Sequence, residues 1–118
     1  PSASSPSGFS VSASHTRNQR QGLLFYGTNG ESAVPWNGGT LCVQTPLRRT
    51  PLQNAAGTPL PTNDCSGTFA FDFNAWTASG IDAALFAGQH VRAQYYSRDP
   101  GASFQLNLTD AVEFVLEP

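Results

Sequence analysis

Residues 68–73 read Thr-Phe-Ala-Phe-Asp-Phe, which is the clearest strand pattern in this chain. Successive side chains of a β-strand point to opposite faces, so Phe69, Phe71 and Phe73 share one face. Ala70 and Asp72 fall on the other. Three aromatic rings on one side indicate that this side packs in a hydrophobic core, and the segment therefore predicts a half-buried strand.

The same alternation recurs along the chain. Segments 9–14, 40–45, 90–96 and 111–116 carry it between turn residues, 21–27 is a denser apolar run that ends in a turn, and 104–108 is a further short strand. Between them, residues 79–88 run from a Ser cap to a Gly stop and predict one or two helical turns. About seven or eight short strands joined by turns favour an all-β fold, a two-sheet antiparallel β-sandwich. Jelly-roll and immunoglobulin-like topologies both fit this pattern.

The size and composition of the chain limit the number of domains and the kinds of partner that we expect. The chain has 118 residues, enough for one hydrophobic core, and we expect a linker over residues 1–8 and a single domain over 9–118. Only 12% of residues are charged, and the formal net charge is −2. We therefore expect no nucleic-acid partner, because there is no basic field, and no membrane insertion, because no apolar run is long enough.

Two cysteines flank the least regular segment. Residues 46–64 contain four prolines and lose the alternation, which predicts a long Pro-rich loop. A disulfide between Cys42 and Cys65 would hold this loop across the outer face of a sheet and would place the chain in an oxidising, extracellular compartment. The alternative is a pair of free buried thiols.

Catalytic patterns are missing from the sequence. No nucleophile motif occurs, and His15 and His90 have no acidic or cysteine residue at the spacing of a metal site. The carboxylates are too scattered for sequence to pair two of them at one cleft. We therefore expect no enzyme activity and no cofactor.

A structural calcium ion is a further expectation. Calcium prefers several oxygen ligands, and two short segments each offer two. They supply Asp72 and Asn74, and Asp110 and Glu113. The alternative is that Asp72 and Asn74 make ordinary hydrogen bonds at a strand end and in a turn.

Aromatic residues beside polar ones are the preferred binding candidates. Trp36 lies between turn residues in segment 34–39, and alternation on 90–96 puts Tyr96 on the same face as Arg92 and Gln94. Exposed rings stack on the apolar faces of sugars while polar side chains bond the hydroxyls. The candidate ligand-binding residues are Trp36, Tyr96, Arg92, Gln94, Trp76 and Tyr26.

Two other interpretations of these residues remain. Tryptophan and tyrosine in sandwich domains also close the edge of a core or lie under a loop. The sequence Asn107-Leu108-Thr109 matches a glycosylation motif, which matters only in a host that modifies it.

A resemblance supports the extracellular interpretation. The segments that carry it are Leu41-Cys42-Val43, Arg48-Arg49-Thr50-Pro51, Asp64-Cys65-Ser66-Gly67-Thr68, Phe71-Asp72-Phe73-Asn74 and Tyr96-Ser97-Arg98-Asp99-Pro100. From Gly22 onward, the chain resembles poorly characterised C-terminal β-sandwich accessory modules of large secreted bacterial proteins. The resemblance implies an extracellular accessory domain and carries over no catalytic residue.

Two functions follow as hypotheses. The first is a non-catalytic binding module for a polysaccharide or a cell-surface glycan. The second is a structural or adhesive unit that packs on neighbouring domains or on copies of itself, because apolar strand edges such as segment 23–26 can pair with another chain.

Overall fold

In a computed structural model, the chain folds into ten strands and one short helix within the described residues, 1–36, 39–62, 64–98 and 106–118. For Trp36, Gly39, Leu106 and Asn107 only the backbone is described. The strands are β1 (Ser10–Thr16), β2 (Gln21–Gly27), β3 (Glu31–Trp36), β4 (Gly39–Val43), β5 (Arg48–Arg49), β6 (Gln53–Asn54), β7 (Gly67–Asp72), β8 (His90–Arg98), β9 (Leu106–Leu108) and β10 (Val112–Val115). The helix α1 spans Phe73–Ala78.

The central sheet is built around β2 and β8. These two long strands pair antiparallel, with Leu24 opposite Tyr95 and Tyr26 opposite Ala93. On its other edge, β2 pairs with β5 and β6, while β8 pairs with β9 and β10. Two further two-stranded sheets, β1 with β7 and β3 with β4, complete the fold. Every pairing between these strands is antiparallel, which confirms the all-β prediction.

The main core lies between the central sheet and the β1–β7 sheet. The predicted aromatic stripe is part of it, because Phe69 and Phe73 are buried and Phe71 packs against them half-buried. Phe69 stacks on Tyr95 with ring centres 5.5 Å apart. At Gly22 a Cβ atom would come within 2.7 Å of the Phe69 ring, so the two sheets approach closely only because this residue lacks a side chain.

A second, smaller core lies on the opposite face of the central sheet. There Leu23 and Phe25 of β2 pack against Val43 of the β3–β4 hairpin. Strand β2 is thus covered on both faces, which explains its continuous apolar run. The proposal that segment 23–26 is an exposed strand edge is wrong, because β2 is an interior strand of its sheet.

The helix begins earlier than predicted. Residues 79–88 form turns, whereas α1 starts at Phe73 directly after β7. The Asp72 side chain accepts a hydrogen bond from the Ala75 backbone N–H and so caps the helix N-terminus. The strand pattern of segment 68–73 hid this cap, because Phe73 continues the alternation while it already belongs to the helix.

The Pro-rich segment 46–64 contributes to the central sheet. It supplies β5 and β6, which pair with β2, so it lies along a sheet edge rather than across an outer face. The buried Asn18 side chain holds it in place, since its amide donates to the Thr62 carbonyl at 2.7 Å and its oxygen accepts from the Asp64 backbone N–H at 2.9 Å. Side-chain hydrogen bonds from Asn18 therefore hold the Pro-rich segment in the position that the predicted disulfide was expected to fix.

The predicted disulfide is absent, and Cys42 and Cys65 are both free thiols. Cys42 belongs to β4, which packs on one face of the central sheet, while Cys65 comes just before β7, which packs on the other. The two cysteines therefore belong to segments that pack on different faces of the central sheet, and no disulfide closes the Pro-rich segment.

The first eight residues contact the end of the chain. Ser2 forms a parallel bridge with Glu117, and the Asn74 side chain accepts from the Ser2 backbone N–H and donates to the Ser7 carbonyl.

Within the described residues, no helix has the length and apolar character needed to cross a membrane.

Candidate ligand-binding site

The strand pattern predicts that Gln94 of β8 faces solvent, but the structure buries it. It is 1% exposed. Its side-chain oxygen accepts from the Cys42 backbone N–H at 3.1 Å, and its amide donates to the carbonyls of Thr40 and Thr109 at 3.0 and 2.6 Å. These bonds attach the β3–β4 hairpin to the central sheet, so Gln94 has a structural role and is not accessible to a ligand.

Tyr96 lies on the same face of β8 as Gln94, as alternation predicts. The hairpin covers this face, and Tyr96 is half-buried against the second core together with Leu41 and Leu108. Its ring therefore does not stand free in solvent as a stacking platform. The alternative interpretation from sequence, a ring that closes the edge of a core, describes it better.

Arg92 joins three strands through its guanidinium group. Its Nη2 atom lies 2.7 Å from Glu113 Oε2 on β10 and 3.6 Å from Glu31 Oε2 on β3. His90 Nδ1 lies 3.6 Å from the other Glu113 oxygen. The Arg92 side chain is 18% exposed, so its charge is largely committed to neighbouring strands.

Tyr26 and Trp76, by contrast, come together around a carboxylate. Trp76 Nε1 of α1 donates to Tyr26 Oη at 2.9 Å, and Tyr26 Oη donates to Asp82 Oδ2 at 2.6 Å. The other carboxylate oxygen of Asp82 accepts from the Ala84 backbone N–H at 3.0 Å. We call this chain of hydrogen bonds, Trp76 to Tyr26 to Asp82, the Tyr26 relay.

The environment of Tyr26 raises the pKa of its phenol. Burial is the largest cause, and the hydrogen bond to the Asp82 carboxylate adds to it, because both disfavour the charged phenolate. The phenol therefore remains a hydrogen-bond donor to Asp82 throughout the physiological pH range.

A pocket of about 300 Å³ opens beside the Tyr26 relay. Three segments wall it: the end of β2 and its turn, the start of the Pro-rich segment, and the turn after α1. We call it the Asp82 pocket, and its lining residues are Tyr26, Gly27, Thr28, Asn29, Pro46, Leu47, Arg48, Asp82 and Ala84. Arg48 is positioned by a 3.2 Å hydrogen bond from its Nη2 atom to the Ile81 carbonyl.

The Asp82 pocket thus combines opposite charges with neutral polar groups. Asp82 offers acceptors, Arg48 offers donors, and Thr28 and Asn29 can do both. Pro46, Leu47 and Ala84 supply apolar surface. Sites for small polar molecules usually have this composition, a few convergent polar groups on an otherwise apolar wall.

Another cavity is larger but chemically poorer. A groove of about 400 Å³ lies between β1 and the β8–β10 region, and an adjoining pocket of about 290 Å³ shares Val11, Ser12 and Val112 with it. Its single charged lining residue is Asp110. The amide of Gln94 and the hydroxyl of Thr109, which also line it, already bond the protein itself. We call this cavity the β1–β10 groove.

The candidate calcium ligands do not converge. Asp72 caps α1 and its second oxygen accepts from the Gly8 backbone N–H, while both polar atoms of Asn74 bond the N-terminal segment. Asp110 is exposed, and Glu113 pairs with Arg92. Across the described part of the chain, no three His, Cys, Asp or Glu side chains lie close enough to hold a metal ion.

Sequence reasoning missed Asp82 and Arg48. Asp82 fell within the expected helical segment 79–88, and Arg48 within a loop that had no assigned partner. The one local signal is the bond from the Ala84 N–H to the Asp82 side chain, an Asx-type turn that Asp favours at such positions. The side chain of Trp36 and that of Asn107 lie outside the described residues.

Comparisons with models of known protein families, with curated proteins and with solved structures find no match to this chain.

Proposed function

We propose that this protein is a non-catalytic carbohydrate-binding module that holds its ligand in the Asp82 pocket. The observation that carries the proposal is the half-buried Asp82 carboxylate, fixed by Tyr26 and Ala84, in the same pocket as the Arg48 guanidinium. In this proposal the Asp82 pocket takes the place of the predicted Tyr96 platform on β8, while the side chain of Trp36, the other predicted platform, lies outside the described residues.

The chemistry of the pocket suits hydroxyl groups. A sugar hydroxyl both donates and accepts, so it can donate to Asp82 and accept from Arg48 within one small site. The apolar atoms of Pro46 and Leu47 can cover the C–H face of a sugar ring. The opposite charges of Asp82 and Arg48 balance each other, which favours a neutral ligand.

The same lining supports a role without catalysis. Glycoside hydrolysis needs two carboxyl groups on either side of the scissile bond. Among the described residues that line the pocket, Asp82 is the only carboxylic acid. A single fixed carboxylate suits recognition, and the proposal involves no cofactor and no metal ion.

The proposal extends to the setting of the module. The sparse charge, the abundance of turn residues and the resemblance to accessory modules of secreted bacterial proteins support an extracellular location. The packing of the β1–β7 sheet on the central sheet supports a sandwich-type fold. Free thiols at Cys42 and Cys65 mean that a disulfide no longer contributes to this reasoning.

A glycan array with defined mono- to hexasaccharides tests the proposed function, followed by calorimetry on each glycan retained. We expect Asp82→Asn to weaken binding by at least about tenfold, because a hydrogen bond to a charged group contributes roughly 1.5–3 kcal/mol. Asp110→Asn is the matched control, since Asp110 is an exposed carboxylate that lines the β1–β10 groove. An array on which no glycan is retained, or a wild-type affinity in Asp82→Asn, would contradict the proposal.

A second candidate function is self-association through β10. Within the described residues β10 pairs only with β8, and its Val112 and Val115 side chains are 45% and 39% exposed. An unpaired strand edge with apolar side chains can accept a strand from another copy. Light scattering over a range of concentrations tests this candidate. It requires an oligomer that Val115→Lys abolishes and that Val34→Lys, on the exposed hairpin, leaves intact.

A further inference from the structure

We infer that the Asp82 pocket recognises one terminal sugar residue of a glycan, through two adjacent hydroxyl groups. This inference rests on the proposed function and specifies its ligand class. It follows from the hydrogen-bonding capacity left on Asp82, from the rigidity of that side chain and from the size of the pocket.

Asp82 keeps unused acceptor positions on both oxygens. A carboxylate has about four lone-pair positions for hydrogen bonds. The protein fills one on each oxygen, with Ala84 N–H on Oδ1 and Tyr26 Oη on Oδ2. One position therefore remains on each oxygen. Two acceptors held side by side match two donors on neighbouring carbon atoms, which is the geometry of a vicinal diol.

The Tyr26 relay fixes the orientation of this carboxylate. Tyr26 is 1% exposed and its ring packs edge-on against Phe73 with centres 5.1 Å apart, so the phenol cannot move freely. Trp76 occupies an acceptor position on the phenol oxygen, which directs the phenol proton toward Asp82. A site whose polar atoms are already oriented loses less conformational entropy when it binds a ligand.

The size of the pocket limits the ligand to about one ring. A volume of about 300 Å³ equals the space of roughly ten water molecules, which suits a single monosaccharide. Three chain segments supply its lining, and a pocket of this size holds about one ring. In the proposed complex the end of a glycan chain therefore enters the pocket, and the rest of the chain remains in solvent.

The β1–β10 groove provides the contrasting geometry. Two adjoining cavities of about 400 and 290 Å³ share part of their lining there, which suits an extended chain. Its lining has no arginine to balance Asp110. Binding of chain interiors in this groove, rather than of chain ends in the Asp82 pocket, is therefore the competing outcome.

The test uses calorimetry with a series built on each sugar retained by the array. The probes are its methyl glycoside, its di- and tetrasaccharides, and deoxy analogues that lack one hydroxyl at a time. We expect dissociation constants that agree within about threefold from methyl glycoside to tetrasaccharide, because the added rings make no contact. Two deoxy analogues, at neighbouring positions, should bind at least about tenfold more weakly.

Trp76→Phe tests the relay without removing a pocket-lining residue. It keeps an aromatic ring but loses the indole donor, and we expect weaker binding of the methyl glycoside together with an altered pKa of Tyr26. The direction of the second readout reports on the relay: the indole hydrogen bond lowers the pKa of Tyr26, so its loss should raise that pKa further, whereas a packing defect that exposes Tyr26 to water would lower it. Unaltered binding and an unaltered pKa in a folded variant would exclude the relay.

The outcomes separate the two proposals. An affinity that rises more than about tenfold with chain length, or that depends on Asp110 rather than Asp82, overturns end recognition but leaves carbohydrate binding in place. Competition by methylguanidinium at a similar affinity would show that Asp82 selects cations, which also overturns the diol inference. Failure of every glycan to bind removes the inference and the proposed function together.

Discussion

The Asp82 pocket and the face of β8 that carries Gln94 and Tyr96 are built from similar residues but differ in what lies opposite them. Each contains a tyrosine, an arginine and a side chain that can accept hydrogen bonds. On β8, Gln94 and Tyr96 lie beneath the β3–β4 hairpin, and Arg92 pairs with Glu113. In the pocket, Asp82 and Arg48 keep hydrogen-bonding capacity that faces an open cavity.

The difference teaches that residue type does not distinguish a proposed binding pocket from a structural junction. On β8, the side-chain oxygen and amide of Gln94 both bond other parts of the protein, and these bonds hold the β3–β4 hairpin on the central sheet. At Asp82, the protein forms one hydrogen bond to each carboxylate oxygen and leaves the other acceptor positions of these oxygens unused. What lies opposite each side chain decides its role, and that depends on packing.

Gln94→Ala should give the largest effect, because it removes the side chain that joins the hairpin to the central sheet. The change removes the acceptor of the half-buried Cys42 N–H and the amide donor shared by the Thr40 and Thr109 carbonyls, and we expect the free energy of unfolding to fall by about 2–4 kcal/mol. Urea denaturation measures it. Gln44→Ala, at an exposed glutamine just after β4, is the control and should change stability by less than about 0.5 kcal/mol. A similarly small loss for Gln94→Ala would contradict the structural role.

Alkaline titration tests the pocket side of the comparison. The pKa of Tyr26 is raised and burial raises the pKa of Tyr95 to about 12, so the folded protein holds these protons more tightly than the unfolded chain. Their contribution to stability is therefore complete below about pH 10 and is lost as the pH rises above it, by roughly 1.4 kcal/mol per tyrosine for each rise of one in pH. Denaturation at several alkaline pH values measures this slope.

Two variants test whether the Tyr26 relay causes the loss of stability at alkaline pH. Tyr26→Phe should make it shallower, because one titrating group is gone. Asp82→Asn should lower the pKa of Tyr26, since the neutral amide no longer disfavours the phenolate as the carboxylate does. Tyrosinate absorbance follows this change directly. An unchanged Tyr26 pKa in Asp82→Asn would mean that the hydrogen bond between the two side chains is not formed in solution.

Glu113→Gln should give the smallest effect. It removes the negative charge that faces Arg92 at a partly exposed site, where an ion pair contributes less than about 1 kcal/mol and is screened by salt. We expect a loss of about 0.5 kcal/mol at low ionic strength that shrinks in high salt, with ligand binding unaltered. Glu117→Gln, at an exposed glutamate near the chain end, is the matched control. A loss of glycan affinity in Glu113→Gln would indicate that the glycan binds near Arg92 on β8 and not in the Asp82 pocket.

Local alternation predicted much of the fold. It correctly placed Val91, Ala93 and Tyr95 on the buried face of β8, and Phe69 in the main core. It also placed Tyr96 and Gln94 on one face, but could not show that a hairpin would cover that face. The disulfide was wrong for the same reason, because two cysteines in sequence carry no information about the sheet that lies between them.

The candidate site was only partly accessible from sequence. Tyr26 and Trp76 were chosen as separate aromatic candidates, and the structure joins them through one hydrogen bond. Asp82 and Arg48 were missed because they lie 34 positions apart in the sequence and share no local pattern. Their meeting depends on β5 pairing with β2 and on α1 directing the next turn to the same edge.

The sequence by itself determined that this chain forms short strands, most of them apolar on one face and β2 apolar on both, because side-chain alternation and turn residues act within a few positions. The tertiary structure alone decided which polar side chains became structural and which remained available to a ligand. The physical reason is that a polar atom must find a partner when it is buried, and the identity of that partner depends on residues that are distant in the chain.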